Sequence, residues 1–358
     1  MPVIDADTHV DETEDTWEFI QPGEEALKPV TSAPSNPDPN RPPTRYWMID
    51  GRRQMRFTRD DQRTKTTVEM RELLDVSQRL RAMDQLGVDV QVIYPTLFLV
   101  EGTDKPEVEL AHRRSYNHWM ADRCAKSGGR LRWVCLPPYR SMDKALDELR
   151  FAKEHGAVGI LKKGNQEADH WLSEEYFHPL YEEAEKLDLP LCFHTGSGVQ
   201  DFSPTKEFLL SSFLRMTAPV PNAFEAVVTF GVSTKFPKLR FGFIEAGASW
   251  LPFLMYHLRR RLERIGNSTF GRLAYDMSPD LLRDHRLYVT CQVDEDLPYL
   301  LTVAGEDNIL VGSDFTHADS AMEHTFASDL QARADRGEIS ATAVRKITQD
   351  NPKRFYGL

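Results

Sequence analysis

Cysteine is scarce in this sequence, with four residues spread along a chain of 358. No two of them form a Cys-x-x-Cys pair, which argues against a zinc knuckle or a redox disulfide. Three lie inside apolar, strand-like runs, where cysteine usually serves as a small buried hydrophobe. We therefore expect free thiols and a reducing, cytoplasmic compartment. The cysteines are Cys124, Cys135, Cys192 and Cys291.

Long apolar runs and excess positive charge are also lacking. No stretch approaches the ~20 apolar residues that a membrane-spanning helix needs, and no basic-then-apolar leader precedes the first strand. The 44 Lys and Arg residues are outnumbered by 55 Asp and Glu residues, which gives a net charge of −11. Such a field repels phosphate groups. Nucleic acid and membranes are therefore poor partners, and we expect a small-molecule substrate.

The sequence does contain a regular alternation of short apolar runs with helix-like segments. Eight such runs, each followed by a helical stretch, are typical of a (β/α)8 TIM-type barrel. The alternative is a doubly wound open sheet, but no Gly-x-Gly-x-x-Gly turn follows any run. Strands are predicted near residues 3, 88, 131, 158, 189, 239, 287 and 308. Helices are predicted at about 68–86, 105–127, 141–155, 174–188, 249–266 and 295–305, with a mostly helical segment reaching about 236.

A long irregular stretch, residues 13–66, follows the first strand within what we expect to be one domain over 1–358. Its early part is rich in proline, and Asp50-Gly51 between two β-prone runs predicts a hairpin. An insertion of this length beside a strand that carries polar residues is typical of a lid or an interface arm. A disordered arm is the alternative, although it fits the aromatic residues poorly. An ordered arm favours a homo- or hetero-oligomer.

The first strand carries a pattern that points to metal chemistry. Asp7 and His9 lie two positions apart, so their side chains share one face of the strand. A carboxylate and an imidazole side by side are suited to bind a metal ion together with further ligands. The ordinary alternative is a hydrogen bond between them at the end of the strand.

Other polar residues stand where later strands end, which is where barrel enzymes place their working groups. Each has an ordinary interpretation: a core histidine, an acid beside a helix N-terminus, or a helix cap. A metal site explains all of them together. These residues are Lys163, His194, Glu245 and Asp314, with His317 three positions further on.

These motifs resemble the amidohydrolase superfamily, and most closely its amidohydrolase-2 branch, which contains aminocarboxymuconate semialdehyde decarboxylase. The resemblance covers nearly the whole chain except 13–66 and implies a distorted (β/α)8 barrel that holds one or two divalent metals. The motifs are Asp7-x-His9, His194-Thr-Gly-Ser-Gly, Glu245-Ala-Gly-Ala-Ser-Trp-Leu-Pro, Gly312-Ser-Asp-Phe-Thr-His317 and Asn351-Pro-Lys-Arg-Phe-Tyr-Gly-Leu358.

The resemblance also implies a set of metal ligands: Asp7, His9, His194 and Asp314. This sequence departs from the family pattern where Asp7 and Glu245 replace histidines, so oxygen replaces nitrogen at both positions. Glu12 and His317 would add two ligands if their loops curl inward. Such a set can hold two metals about 3.5–4 Å apart. Because it is rich in carboxylates, iron or manganese is expected at least as readily as zinc.

Two further residues have open roles. In two-metal members of the superfamily, a lysine at the end of the fourth strand can be carbamylated and bridge the metals. The resemblance implies that Lys163 is the candidate for this role here. Because Lys162 is adjacent, the sequence leaves open which of the two lysines faces the barrel interior. The alternative for Lys163 is a surface position or contact with a substrate carboxylate. His257 lies one to two turns into the helix after the sixth strand. We assign it a catalytic role as a substrate contact or a supporting group.

The leading hypothesis is a metal-dependent hydrolase, in which metal-bound hydroxide attacks a carbonyl of a small organic substrate with Asp314 as general base. A second is a non-haem di-iron or Mn/Fe monooxygenase, similar to an amine hydroxylase of the same clade. A third is a metal-dependent, non-oxidative decarboxylase. A fourth is a non-enzymatic barrel that acts as a subunit of an assembly. The sequence does not identify the substrate.

Overall fold

The eight predicted strands form one parallel sheet that curves into a nearly closed barrel in the computed structural model. The structure describes residues 2–33, 45–56, 59, 61–100, 102–196, 213–265, 277–318 and 320–358. The barrel strands, in spatial and chain order, are β1 (Ile4–Val10), β5 (Val90–Pro95), β6 (Leu131–Cys135), β7 (Ala157–Lys163), β8 (Leu191–His194), β9 (Phe241–Ile244), β10 (Leu287–Cys291) and β11 (Ile309–Val311).

The apolar character of these strands follows from their position between the barrel interior and an outer layer of helices. All seven residues of β7 are buried, as are all seven of β1. Strands covered on both faces need near-continuous apolar runs, which is why they were predictable. The helices are α1 (Asp61–Thr64), α2 (Val68–Arg71), α3 (Val76–Leu86), α4 (Pro106–Ala125), α5 (Met142–Glu154), α6 (His178–Leu187), α7 (Pro219–Thr229), α8 (Val232–Lys235), α9 (Trp250–Ile265), α10 (Leu281–Asp284), α11 (Leu297–Ala304), α12 (Phe326–Asp335), α13 (Ala341–Arg345) and α14 (Asn351–Tyr356).

The prediction of one helix over 68–86 is wrong, because the chain turns between α2 and α3. Leu73 adopts a φ of +49°, and Asp75 then caps α3 by accepting a hydrogen bond from the backbone N–H of Ser77 at 2.9 Å. The predicted helical segment after the fifth strand lies partly outside the described residues, since its first part falls within 197–212.

The barrel closes where β1 meets β11. A bridge pairs Thr8 with Phe315, and the backbone N–H of Asp314 donates to the carbonyl of Asp7 at 3.0 Å. Gly312 allows this approach, because a Cβ at that position would lie 2.9 Å from the backbone nitrogen of Asp7. From the C-terminal helix, the hydroxyl of Tyr356 donates to the carbonyl of Ala6 at 2.6 Å.

The insertion after β1 builds a three-stranded antiparallel sheet. The predicted hairpin is confirmed, and Asp50 and Gly51 have the positive φ values, +48° and +72°, that a type I′ turn requires. A separate apolar cluster packs this sheet against the barrel, while most of the prolines fall in 34–44, outside the described residues. Its role as a lid or interface arm stays a prediction. The sheet strands are β2 (Val30–Ser32), β3 (Arg45–Ile49) and β4 (Arg52–Arg56), and the cluster contains Trp17, Trp47, Ile49, Leu97 and Val108.

Among the described residues, no helix is both long enough and apolar enough to pass through a membrane. The four cysteines are buried thiols. Burial raises the pKa of Cys124 and of Cys192 to about 12, so both remain protonated and unreactive near neutral pH.

Candidate metal centre

The side chains predicted as metal ligands converge at the C-terminal rim of the barrel, with the exception of Glu12. They form two groups that share His9, and within each group the ligand atoms lie within 4.8 Å of one another. The sequence spacing between them ranges over most of the chain, so only barrel closure brings them together. The first group is Asp7, His9, His194 and Glu245, and the second is His9, Asp314 and His317.

His9 occupies the middle of the centre. Its Nδ1 lies 2.9 Å from the carbonyl oxygen of Pro95, so Nδ1–H donates there and the lone pair of Nε2 faces the centre. Nε2 lies 3.5 Å from Asp7 Oδ1 and 3.4 Å from Asp314 Oδ1. Among the described residues, this buried nitrogen has no hydrogen-bond partner. A buried acceptor surrounded by carboxylates is what a cation site requires.

His194 approaches from the neighbouring side. Its Nδ1 lies 3.0 Å from the carbonyl oxygen of Thr195, which again directs Nε2 inward. Nε2 lies 3.3 Å from Asp7 Oδ1 and 3.1 Å from Glu245 Oε2. Burial alone would lower the pKa of His194, but the carboxylates of Asp7 and Glu245 outweigh it and raise the pKa to about 9. Without a metal, this imidazole therefore carries a proton at neutral pH.

Metal binding should displace that proton. Because the pKa of His194 is about 9, binding of Mn²⁺ well below pH 9 should release about one proton, and the release should disappear as the pH rises above 9. The raised pKa also stabilises the metal-free fold below the ordinary histidine pKa, and this contribution is lost as pH rises through about 9. Calorimetric titrations in buffers of different ionisation enthalpy measure the proton count. Equal release from wild type and His194→Gln would contradict this assignment.

Asp314 and His317 form the other half of the centre. His317 Nδ1 lies 2.8 Å from Asp314 Oδ1, and its Nε2 lies 2.9 Å from Thr96 Oγ1. The ring of His317 stacks on that of His9 with centroids 3.8 Å apart. Burial, followed by the neighbouring imidazole, holds the pKa of both His9 and His317 well below the usual range. Both rings are therefore neutral, as metal ligation requires.

Two of the acidic residues adopt strained backbone conformations. Glu245 has a φ of +62° and Asp314 a φ of +50°, in a region that costs an ordinary L-residue roughly 1–2 kcal/mol. Hydrogen bonds hold the first in place: its backbone N–H donates to Thr290 Oγ1 at 2.8 Å, and Thr195 Oγ1 donates to its Oε2 at 2.7 Å. Such strain is typical of functional sites, where the surrounding structure imposes it.

Two predicted site residues lie elsewhere. Glu12 is buried, but its carboxylate accepts hydrogen bonds from the backbone N–H groups of Thr96 at 3.1 Å and Leu97 at 2.8 Å. Burial raises the pKa of Glu12 to about 8. In this geometry it shapes the loop after β5 and belongs to neither ligand group. His257 is exposed on α9 with its ring 6.3 Å from that of Phe253, a placement that does not support a catalytic role.

The register of the two adjacent lysines is resolved. Lys162 is fully buried in the outer layer, with Nζ 2.9 Å from Glu167 Oε2 and 3.7 Å from the ring centre of Phe177. Lys163 is also buried and pairs in register with His194 at the end of β7. It therefore lies at the same level of the barrel as the ligands. Its carbamylation and its contact with substrate both stay predictions.

Residues to which the sequence assigned no role also support the centre. Thr195 and Thr290 hold Glu245, and neither was assigned a role from the sequence, although Thr195 falls inside the quoted turn. Arg59 of the insertion is held by Asp11, with Nε 3.1 Å from Oδ1. Its charge adds to burial and to the His194 imidazole in lowering the pKa of His9. No local signal distinguishes Arg59 from the other arginines of the insertion.

The donor set fits a divalent cation. It combines imidazole nitrogens with carboxylate oxygens and includes no thiolate among the described residues. Neutral His9 presents an inward nitrogen without a hydrogen-bond partner among the described residues, and the candidate ligands lie in barrel strands or shortly after them. Mixed nitrogen and oxygen sites of this kind suit manganese or iron as well as zinc.

Comparison with solved structures agrees with the barrel fold. A solved amidohydrolase from Mycobacterium avium subsp. paratuberculosis superposes with a TM-score of 0.79 over 100% of this chain and 98% of that one, at 19% identity. A 5-carboxyvanillate decarboxylase from Novosphingobium aromaticivorans, solved with bound manganese, superposes with a TM-score of 0.68 over 84% of this chain and 86% of its own, at 20% identity. These similarities show a shared fold.

Sequence comparison identifies the family. A gamma-resorcylate decarboxylase from Rhizobium sp. (strain MTP-10005) is 30% identical over 129 residues, which is 34% of this chain and 39% of that protein. The match thus spans well under half the length of the curated relative. The model of the amidohydrolase family, in contrast, matches residues 4–358. Because this match extends over nearly the whole chain, the protein belongs to the amidohydrolase family.

Proposed function

We propose that the protein is a metal-dependent, non-oxidative decarboxylase of a small aromatic carboxylate that bears a neighbouring hydroxyl group. The observation that carries the proposal is the buried Asp314 carboxyl inside the ligand group, 2.8 Å from His317 Nδ1. Decarboxylation requires a proton at the carbon that loses carbon dioxide, and a buried carboxyl is suited to supply it. The substrate class of the two decarboxylases that this chain resembles adds support.

The reaction replaces a carboxylate by a proton. Asp314 donates a proton to the ring carbon that bears the carboxylate, the carbon–carbon bond breaks, and its electron pair returns to the ring as carbon dioxide leaves. A divalent cation held by Asp7, His9, His194 and Glu245 would bind the oxygens of the substrate and neutralise their charge. His317 orients the Asp314 carboxyl through the 2.8 Å contact. The Arg59 guanidinium adds positive charge near an anionic substrate.

Hydrolysis is the second candidate, and one observation favours it. The ligands fall into two groups that share His9, an arrangement compatible with two cations about 3.5–4 Å apart. Two such ions suit the activation of water for attack on a carbonyl. In that case Asp314 would accept a proton from water instead of donating one to carbon.

The test uses Mn²⁺-loaded protein with 2,6-dihydroxybenzoate and 5-carboxyvanillate in deuterated water. We expect release of carbon dioxide, and one deuterium on the ring carbon that carried the carboxylate, detected by mass spectrometry and NMR. The reaction should proceed without oxygen. Absence of carbon dioxide from every phenolic carboxylate, together with oxygen-18 uptake from water into the product of an ester or thioester, would overturn the proposal in favour of hydrolysis.

A further inference from the structure

Thr195 touches two of the candidate metal ligands, His194 at the end of β8 and Glu245 directly after β9. It follows β8 directly and is buried. Its carbonyl oxygen lies 3.0 Å from Nδ1 of His194, and its hydroxyl donates to Oε2 of Glu245 at 2.7 Å. We infer that Thr195 is a positioning residue that orients both ligands and thereby sets the affinity of the centre for a divalent cation. The inference rests on the metal site of the proposed function but not on the reaction.

The hydroxyl selects which oxygen of Glu245 faces the centre. The oxygen that accepts from Thr195 is also the one 3.1 Å from His194 Nε2 and 3.8 Å from His9 Nε2. A carboxylate oxygen has two lone pairs. When the hydroxyl engages one, the other is directed towards the imidazole nitrogens. Oε2 of Glu245 would thereby be oriented towards a cation held by the two imidazoles.

The backbone of Glu245 is fixed separately, so Thr195 acts on the carboxylate itself. Thr290 Oγ1 accepts the backbone N–H of Glu245 at 2.8 Å and supports its positive φ. Loss of the Thr195 hydrogen bond would remove one of the contacts that orient Oε2 of Glu245. Ordering that side chain in advance removes an entropic cost from metal binding.

Thr195 is itself held in position by its neighbour. Gly196 has a φ of +118°, and a Cβ there would lie 2.8 Å from the carbonyl oxygen of Leu99. The loop after β8 therefore lies directly against the segment after β5. This packing fixes the backbone carbonyl and the hydroxyl of Thr195 relative to the barrel, which is what a positioning residue needs.

The experiment compares Thr195→Val with Thr195→Ser in the full chain. Valine keeps the shape and the backbone carbonyl but removes the hydroxyl, whereas serine keeps the hydroxyl. Thr348→Val is the matched control. That buried threonine donates to the carbonyl oxygen of Val344, on α13, at 2.8 Å. After metal removal, each protein is titrated with Mn²⁺ while the paramagnetic resonance signal of the free ion is followed. Thermal unfolding of the metal-free proteins reports stability.

We expect Thr195→Val to bind Mn²⁺ about 10- to 100-fold more weakly than wild type, the usual cost of losing a group that orients a ligand. Thr195→Ser and Thr348→Val should keep an affinity for Mn²⁺ within about threefold of wild type, because neither removes the hydroxyl that orients Glu245. Equal affinity of the valine and serine variants would overturn the inference, even if valine lowers stability. Absence of Mn²⁺ binding by wild type would overturn the metal centre, and absence of decarboxylation alone would overturn only the proposed reaction.

Discussion

Replacing Asp314 by asparagine should lower the rate of decarboxylation by about 10²- to 10⁴-fold, the usual contribution of a general acid. Asparagine has nearly the same shape, but its amide cannot deliver a proton to carbon. The side chain is buried, and the described residues place Asp314 Oδ1 between His317 Nδ1 at 2.8 Å and His9 Nε2 at 3.4 Å. Turnover with saturating Mn²⁺ measures the effect.

The control separates chemistry from metal loss, because Asp314 is also a candidate ligand. Bound manganese is measured for wild type and variant by elemental analysis, and folding by circular dichroism. His257→Gln is the matched comparison, since this exposed histidine lies outside both ligand groups and its replacement should leave turnover unchanged. If Asp314→Asn retained most of its activity with normal metal content, Asp314 would not be the proton donor.

Replacing Gly312 by alanine should abolish metal binding and destabilise the barrel. A Cβ at this position would lie 2.9 Å from the backbone nitrogen of Asp7, closer than real Cβ atoms come to another atom. β1 and β11 would have to separate. This would displace the Asp7 carboxylate, and also Asp314, which lies two residues after Gly312. Overpacking of this kind costs roughly 1–3 kcal/mol of unfolding free energy, and sometimes more.

Urea unfolding of the metal-free protein and Mn²⁺ titration measure the two effects separately. Gly87→Ala is the control, because Gly87 has a φ of +68° but nothing within 4 Å of the added Cβ. It should lose stability through backbone strain alone, by roughly 1–2 kcal/mol, and keep its affinity for Mn²⁺. Normal Mn²⁺ binding by Gly312→Ala would show that the close approach of the two strands does not position Asp7.

Much of the fold was predictable because most of the barrel strands are short, largely apolar runs. The ligands were predictable for a related reason: once eight parallel strands close, every strand end must lie on one rim. Asp7, His9, His194 and Asp314 each stand at such an end, and the structure brings them together. The resemblance to the family added the ligand set, and it also implied that Glu245 stands where the family usually has a histidine.

Some features of the centre could not be predicted because they depend on hydrogen-bond partners far away in the sequence. Glu12 had the reach to join the centre, but the backbone N–H groups of Thr96 and Leu97, more than 80 positions later, hold its carboxylate. Nothing near Glu12 in the sequence signals them. The role of Thr195 is equally non-local, because its hydroxyl partner Glu245 lies 50 positions later, directly after the next barrel strand.

Other errors were avoidable from local patterns. Along α9 the buried residues Leu251, Leu254 and Leu258 follow helical spacing, and His257 falls off that face. The break before α3 also had a signal, since Asp75 followed by Gln78 resembles a helix start. The Gln78 amide indeed donates to the Asp75 carboxylate at 3.2 Å. The helical spacing of apolar residues across 68–86 nevertheless favoured a single helix.

The junction between β1 and β11 has a consequence for the order of folding. Asp7 and His9 are synthesised about 300 residues before Asp314 and His317. A nascent chain therefore lacks a complete set of donors until its last barrel strand docks beside its first. A bound ion would then hold the first and last barrel strands together, and its uptake would report that the barrel has closed.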